Sequence, residues 1–345
     1  MAEPGASVVA RARAIADDLL WPAAAAIDHA AAVPVGYLDA LAAAGLYGLY
    51  GPAYAGGLDA DAPSAGRVVA ALAGASCATA LVWVQHHSAV RLAAAAPPPV
   101  RDAWLGRLCR GEVRSGIAVA AMRRPGPPAM TARPLGRGGE WVLDGWAPWV
   151  TGWGLVDVVV VAARHGDDLV WSLVDAVGSS SVRVEPQPLA AEAASATVAL
   201  TLSGHRVEAG RVLAVEAYEH WRARDARGLR HNGYFALGVT ERAARLLGST
   251  DLAAEAEALA TALDEGPDER VAGVRAEACL LAVRATTALV AAGGGGAVGL
   301  DDPAQRLARD AMFLLVFGQT PAIRGEQLAR LLPGGSSSRP PTGGA

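Results

Sequence analysis

The sequence contains no lysine, and its 30 basic residues are therefore all arginine. Without lysine, no side chain can form a Schiff base with a carbonyl substrate. The arginines are scattered along the chain and the net charge is -4, so no basic stripe indicates a nucleic-acid partner. Charged residues make up 19% and hydrophobic residues 52% of the 345 residues, which excludes an intrinsically disordered protein and allows more than one domain core.

Cysteine is also scarce, and Cys77, Cys109 and Cys279 lie far apart in apolar segments with helical spacing. Their spacing does not fit a metal site, so we predict reduced core residues, no bound metal and a cytoplasmic location. A secretory signal is not indicated, because Asp17 and Asp18 stand where its apolar segment would lie. The apolar runs are interrupted by charge, glycine or proline, which predicts neither a membrane span nor a membrane partner.

Hydrophobic periodicity changes twice along the chain. Ala-rich segments with helical spacing come first, then short β-branched segments separated by turn residues, and then helical spacing again. We therefore predict an α+β multidomain protein with an N-terminal helical domain, a central antiparallel β-sheet or β-barrel domain and a C-terminal helical bundle. The predicted ranges are 1–114, 115–213 and 214–332, followed by a disordered tail at 333–345.

Two turns are predicted from local sequence. The Asp-Gly pair at 144–145 lies between apolar flanks and is typical of a tight β-hairpin. Near the C-terminus, "GQTP" at 318–321 separates two segments with helical spacing. Gly318 suits the left-handed residue that ends a helix, Thr320 suits the cap of the next helix, and Pro321 suits its first position. This second turn contains no acid, base or nucleophile.

Three longer strings occur in order along the chain. They are "LAAAGLYGLYGPAYAGGLDA" at 41–60, "LDGWAPWVTGW" at 143–153 and "GGGGAVGLDDPAQRLARDAMFLLVFGQTPAIRGEQLARL" at 293–331. Together with the helix–β–helix order, these strings resemble the acyl-CoA dehydrogenase superfamily over nearly the whole chain. The resemblance implies the fold of that superfamily and a flavin-dependent activity.

The resemblance implies an FAD cofactor whose flavin ring lies between the β domain and the C-terminal bundle. It implies that Trp149 packs against the ring, that Thr151 hydrogen-bonds to its polar edge, and that Val150 belongs to the same cofactor-binding segment. Thr320 matches a family threonine near the cofactor. The alternative is that Trp149 and Thr151 are ordinary residues of a hairpin strand and that Thr320 is only a helix cap.

The sequence departs from the family where a typical member has its catalytic base. Such members remove the α-proton of an acyl thioester with a Glu while hydride passes to the flavin. Gly318 holds the matching place, and Gln319 beside it cannot take a proton. Some members carry the base on the helix after the β domain, and the match there falls near Gly228, with Asp225 and Glu241 to either side.

A loop that contacts flavin and substrate in typical members is also different. It reads "AAMRRPGPPAMTARP" at 120–134, without the family's hydroxyl and acidic residues. Arg123 and Arg124 are candidates to bind a carboxylate or phosphate of a substrate, although such a pair is more often a solvated turn. The resemblance therefore does not imply an ordinary acyl-CoA dehydrogenase.

Three histidines and a tyrosine are the remaining candidates for chemistry. His86 and His87 lie on a helix that would border the pocket in the family fold, and imidazole can donate or accept a proton near neutral pH. Adjacent helical residues point about 100° apart, so at most one of them can face a given pocket, and the alternative is one core and one solvated histidine. His231 and Tyr234 lie near the expected substrate channel, with a solvated helix start as the alternative.

Three functions remain open from the sequence. The first is a divergent flavin-dependent oxidoreductase acting on an acyl thioester or another small molecule. The second is a two-component monooxygenase that uses reduced flavin as a cosubstrate, supplied by a flavin reductase. The third is a non-redox protein or a partner subunit of an active homologue. The resemblance further implies a homodimer or homotetramer, and we predict structural ion pairing for Arg306, Arg309 and Asp310.

Overall fold

Ala-rich segments form the helices at the start of the chain, as the periodicity predicts. The computed structural model describes residues 4–124 and 126–332, and the chain divides into two compact units, Met1–Ala226 and Arg227–Ala345. The predicted tail at 333–345 lies outside the described residues. The first unit begins with helices α1 (Pro4–Ile15), α2 (Trp21–Asp28), α3 (Val35–Ala43), α4 (Ala62–Ala75), α5 (Cys77–Gln85), α6 (His87–Ala95) and α7 (Pro98–Cys109).

Side-chain caps set the ends of the buried helices. Asp61 accepts a hydrogen bond from the Ser64 backbone N–H at 2.7 Å and starts α4. Ser76 breaks the helix between α4 and α5, and its hydroxyl caps the Thr79 N–H at 3.4 Å. Such caps satisfy N–H groups that have no partner within the helix.

An eight-stranded sheet completes the first unit. Its spatial order is β6-β7-β3-β2-β4-β5-β8, and β1 pairs with β4 outside this path. Strand β4 is buried along Val158–Ala163, as expected for a strand covered on both faces. The strands are β1 (Ser115–Ala118), β2 (Met130–Leu135), β3 (Glu140–Val150), β4 (Val158–His165), β5 (Asp168–Asp175), β6 (Val182–Pro186), β7 (Val198–Val207) and β8 (Val212–Ala217).

The sheet is mixed, which corrects the antiparallel prediction. Strand β1 runs parallel to β4 from the Ser115–Val158 pair onward, and β2 also meets β4 in parallel at Thr131 and Arg164. Strands β2 and β3 lie between β1 and β4 in sequence, and β4 then pairs with β1 in the same direction. Strand periodicity cannot reveal this, because it reports which face is buried and not which strand is the neighbour.

The predicted hairpin turn at Asp144-Gly145 is wrong. Both residues lie inside β3, and the turn that joins β2 to β3 is formed by residues 136–139. Gly145 has φ +134, and a Cβ there would lie 2.1 Å from the Ala129 carbonyl oxygen. Gly145 lies at an irregularity in the β3–β7 pairing. A glycine is required there because the backbone at the start of β2 passes close by.

Helices return after β8, which continues to Ala217 and thus past residue 213. Among the described residues, one helical stretch, Asp268–Val298, is long and apolar enough to cross a membrane by length and composition. Core helices of soluble proteins pass the same test, so a chain without a membrane partner stays a prediction. The helices are α8 (Tyr218–Gly228), α9 (Gly233–Leu247), α10 (Thr250–Glu265), α11 (Val271–Gly293), α12 (Pro303–Leu314) and α13 (Pro321–Leu331).

Polar and sulfur-containing side chains in the interior mostly follow the predictions. Arg306 and Asp310 are both buried and form an ion pair at 3.4 Å along α12, and Arg309 donates to Gln305 at 2.8 Å. All three cysteines are buried and unbridged. Within residues 4–124 and 126–332, no group of His, Cys, Asp or Glu could hold a metal ion.

Candidate functional site

Trp149 presents an exposed indole on a strained backbone at the end of β3. Its φ is +61, a left-handed conformation that is rare for a bulky residue, and 52% of its surface is exposed. The pairing of β3 with β7 is irregular between Ala147 and Val150, so Trp149 stands on a bulge. Bulges and left-handed residues of this kind are typical of functional sites, where they redirect a side chain.

Gln187 fixes the bulge from the neighbouring chain segment. Its side-chain oxygen accepts a hydrogen bond from the Trp149 backbone N–H at 3.0 Å. The backbone N–H of Gln187 in turn donates to the Thr197 carbonyl at 3.0 Å, which ties Gln187 to the segment before β7. The N–H that the bulge removes from the strand ladder therefore has a side-chain partner.

Thr151 lies at one end of a chain of three hydroxyl groups. It is 5% exposed, and its hydroxyl lies 3.2 Å from that of Thr197, which lies 2.8 Å from that of Ser195. Two contacts use two of the three hydroxyl hydrogens, so one hydrogen is available at an end of the chain. Val150, between Trp149 and Thr151, is fully buried in the core and anchors the segment by packing.

The turn at 318–321 has the predicted local geometry. Gly318 has φ +57, Thr320 caps α13 by accepting from the Ile323 N–H at 3.3 Å, and Pro321 is the first residue of that helix. The Gln319 amide donates to the Leu315 carbonyl at 3.0 Å and to the Gln327 side chain at 2.8 Å. Gln319 therefore holds the turn together through its side chain.

A buried arginine and the protein's only phenylalanines support this turn. Arg275 is 1% exposed and donates to the carbonyls of Gly318 and Phe317, each at 3.0 Å. These carbonyls lie in the turn that follows α12, and the guanidinium supplies hydrogen-bond donors to backbone acceptors that no helix pairs. Phe317 contacts Phe235 and Phe313 with ring centroids 5.1 Å and 5.6 Å away.

The space beside Gly318 is occupied by Asn232. A Cβ built on Gly318 would lie 2.4 Å from Asn232 Nδ2 and 3.3 Å from Leu229 Cδ2. Because the glycine is also left-handed, any side chain at residue 318 meets both backbone strain and a steric contact. The space that a side chain at residue 318 would need is therefore filled by Asn232.

His86 and His87 lie inside a cluster of aromatic rings. Burial lowers the pKa of His86 to about 3, and both of its ring nitrogens contact backbone, the Leu108 carbonyl at 3.0 Å and the Ser115 N–H at 3.1 Å. His87 is also buried, and its ring contacts Trp83 and Tyr50 edge-on at 4.6 Å and 5.0 Å between centroids. Neither histidine is the solvated one that the sequence allowed.

The paired arginines each have a partner within the first unit. Arg123 forms a bidentate ion pair with Asp225, with both nitrogen–oxygen distances at 2.7 Å. Arg124 lies over the Trp146 ring at 5.1 Å from its centroid. A substrate anion would have to compete with these contacts, and both carboxylate oxygens of Asp225 bond to Arg123.

Tyr234 and His231 lie at the start of the second unit. Tyr234 is 1% exposed, and its hydroxyl donates to Asp264 at 2.5 Å, so its polar end points at α10. His231 is half-buried in the short turn Leu229–Asn232 that precedes α9. The structure thus brings Asn232, the sequence neighbour of His231, next to Gly318 in space.

Comparisons with known proteins identify the fold of the chain and a family match for its N-terminal part. Residues 6–112, less than a third of the chain, match the family model of the acyl-CoA dehydrogenase N-terminal domain. Butyryl-CoA dehydrogenase from Megasphaera elsdenii is 18% identical and aligns over 96% of this chain and 99% of its own, with a TM-score of 0.80. The fold of this chain is the acyl-CoA dehydrogenase fold throughout, from the N-terminal helices through the sheet to the C-terminal helices.

Two further solved structures show how widely this fold is used. Glutaryl-CoA dehydrogenase from Mycobacterium smegmatis in complex with FADH2 is 18% identical, covers 98% of this chain and 97% of its own, and has a TM-score of 0.78. FkbI, a protein for biosynthesis of the methoxymalonyl extender unit of a polyketide, is 21% identical over 93% and 99%, with a TM-score of 0.78. A search of curated proteins found no match. At these identities the likeness establishes the fold and leaves the reaction to be argued from the site.

Several residues of the candidate site were not identified from the sequence. Gln187, Ser195 and Thr197 support Trp149 and Thr151 from segments distant in sequence, and no spacing rule connects them. Arg275 gave no signal either, because a buried arginine cannot be told from a solvated one in an Ala-rich helix. Asn232 is the only asparagine of the chain, which could have drawn attention to it.

Proposed function

We propose that this protein is a flavin-dependent oxidoreductase that binds FAD and acts on a small acyl thioester or a related molecule. The observation that carries the proposal is the left-handed, half-exposed Trp149 on its β-bulge. An exposed indole on a strained backbone is costly for a folded chain, and contact with a planar ligand would give it a purpose. The fold of the superfamily and the flavin complex of one structural relative support FAD as that ligand.

The residues at this strand end fit a flavin by chemistry. The indole of Trp149 offers an apolar face for stacking, and Thr151 can offer the spare hydrogen of the hydroxyl chain to a polar ring atom. Gln187 holds the backbone that directs Trp149. When bound, FAD would supply a two-electron acceptor for hydride from the substrate.

We do not propose that residue 318 removes a proton from carbon. Gly318 has no side chain, and Gln319 and Thr320 hold the turn together. The substrate is therefore either one whose oxidation requires no carboxylate at this turn, or one that is oxygenated. The lack of a carboxylate at this turn also supports the monooxygenase alternative. His86 uses both ring nitrogens on backbone groups, so His87 and His231 are the remaining imidazole candidates for that reaction.

An absorption spectrum of the purified protein, with and without added FAD, tests the proposal. We expect a bound yellow chromophore or its appearance on titration with FAD. Trp149→Ala should weaken retention of FAD, whereas Trp141→Ala, at the other end of β3, should retain it. A folded wild-type protein that binds neither FAD nor reduced flavin would favour the non-redox or partner-subunit alternative.

Two assays separate the redox alternatives. Anaerobic bleaching of the bound flavin by an acyl-CoA would favour a dehydrogenase-like oxidation. Oxygen consumption that occurs only when reduced flavin is supplied would favour the two-component monooxygenase, and would then require a flavin reductase as partner.

We further propose that the protein assembles with copies of itself. Several large apolar side chains of the second unit are exposed in the single chain, as expected for surfaces that another copy covers. They are Leu246, Val298, Leu300, Met312, Val316, Leu331 and Leu332.

A further inference from the structure

Asn232 is placed where the side chain of residue 318 would otherwise lie. Its Nδ2 is 2.4 Å from the position of a Cβ on Gly318, closer than side-chain carbons approach other atoms. Both residues belong to the second unit, and Gly318 is held in position by the buried Arg275. The place of the superfamily's carboxylate is therefore filled by a carboxamide from another segment rather than left empty.

The Asn232 carboxamide differs from the other side-chain amides near the turn. The amides of Gln319 and Gln327 donate to each other or to the Leu315 carbonyl. Among the described residues, no hydrogen-bond partner of the Asn232 side chain is found, and the side chain is only half-buried, so its amide is accessible from solvent. A polar group that is partly desolvated and not hydrogen-bonded within the protein is well suited to meet a ligand.

We infer that Asn232 replaces the carboxylate as the substrate-contacting residue of this turn and donates a hydrogen bond to the carbonyl oxygen of an acyl thioester. The inference rests on the proposed function for the class of ligand. An amide N–H can orient and polarise a carbonyl, but it cannot remove a proton from carbon. The positive Arg275, bonded to the same turn, favours an electronegative ligand atom over a donor.

A thermal-unfolding cycle tests the steric pairing without any cofactor. Gly318→Ala should lower Tm by at least about 2 °C more than Gly248→Ala. Gly248 is the matched control because it has φ +65 and nothing within 4 Å of a built Cβ. In the double variant Asn232→Ala/Gly318→Ala, the additional loss should disappear. Equal losses with and without the Asn232 side chain would overturn the pairing.

Calorimetric titration with butyryl-CoA tests the contact with ligand. Asn232→Asp keeps the size of the side chain and removes its N–H donors, so it should weaken binding about 3- to 10-fold, as should Asn232→Ala. Gly248→Ala should bind like wild type. Unchanged affinity in both Asn232 variants would overturn the inference while leaving the proposed function intact.

The absorption spectrum with added FAD distinguishes failure of the Asn232 contact from failure of the proposed function. If wild type binds FAD but not butyryl-CoA, the acyl-thioester contact is wrong and the flavin proposal stands. If wild type binds neither, both fail.

Discussion

At the scale of single residues, Trp149 carries a conformational cost created by its own Cβ. Its φ of +61 places the Cβ close to the following carbonyl, which costs about 1–2 kcal/mol for any residue except glycine. The side chain is about half exposed, so part of the indole still gains from burial. Glycine is the residue that would adopt this backbone without strain.

This mismatch gives a prediction for two variants that both remove the indole. Trp149→Gly should be more stable than Trp149→Ala by about 1 kcal/mol, because only glycine adopts the left-handed backbone without strain. Urea denaturation measures the free energy of unfolding, and FAD titration should show that neither variant retains flavin as wild type does. An alanine variant as stable as the glycine variant would mean that the left-handed backbone is not kept in solution.

His86 gives a pH-dependence with a definite sign. Burial lowers its pKa from 6.5 to about 3, so between these values the unfolded chain binds a proton that the folded protein does not. The free energy of unfolding therefore falls as pH falls below 6.5, by about 2 kcal/mol at pH 5 from this residue alone.

The measurement compares denaturation at pH 7 and pH 5. We expect His86→Gln, whose amide can still donate and accept, to lose about 2 kcal/mol less between these pH values than wild type. His220→Gln, at a solvent-exposed histidine, should keep the wild-type dependence. Equal slopes for wild type and His86→Gln would show that His86 is not buried as a neutral group.

How far single residues could be predicted depends on whether their role is local. Gly318, Thr320 and Pro321 were predicted correctly because turn and cap chemistry involves only neighbouring residues. Gly318 contacts Asn232 and Arg275, which come from distant segments of the chain. Sequence spacing carries no information about such contacts.

At the scale of elements, β3 shows how one motif can fit two structures. Asp-Gly at 144–145 is a hairpin signal, yet β3 continues through it because β2 pairs with it from Met130 onward. The sequence of β2 does not indicate a strand, because its arginine and proline residues obscure the alternation of apolar side chains. Without β2, Asp-Gly at 144–145 is the hairpin signal nearest to β3.

A glycine pair tests this account of β3. Gly145→Ala should destabilise the protein by about 3 kcal/mol or more, since its φ is +134 and a Cβ would lie 2.1 Å from the Ala129 carbonyl oxygen. Gly138→Ala, in the true hairpin turn with no atom within 4 Å, should stay within about 0.5 kcal/mol of wild type. Thermal or urea unfolding of the two variants decides the matter. The reverse order would restore 144–145 as the turn.

At the scale of the whole molecule, the order of helical and β segments was predictable while the reaction was not. Helix and strand periods follow from burial, and these segments have strong periods. The chemistry depends on a few side chains brought together by folding. Gly318 and Asn232 are such a pair, distant in sequence and adjacent in space. In our proposal, Asn232 gives this turn a contact with the substrate that a carboxylate at residue 318 would otherwise make.

Association of the protein with copies of itself can also be tested at this scale. Met312, in α12, and Val316, in the turn that follows it, are 67% and 61% exposed, and we propose that a second copy covers them. Met312→Glu should therefore shift the protein toward monomer in sedimentation velocity, because a buried unpaired carboxylate opposes association. Val177→Glu is the matched control, since Val177 is also 67% exposed but lies in the first unit, and it should leave the assembly unchanged. A wild-type protein that sediments as a monomer at micromolar concentration would remove the assembly proposal, and loss of assembly in both variants would point to a general effect of added charge.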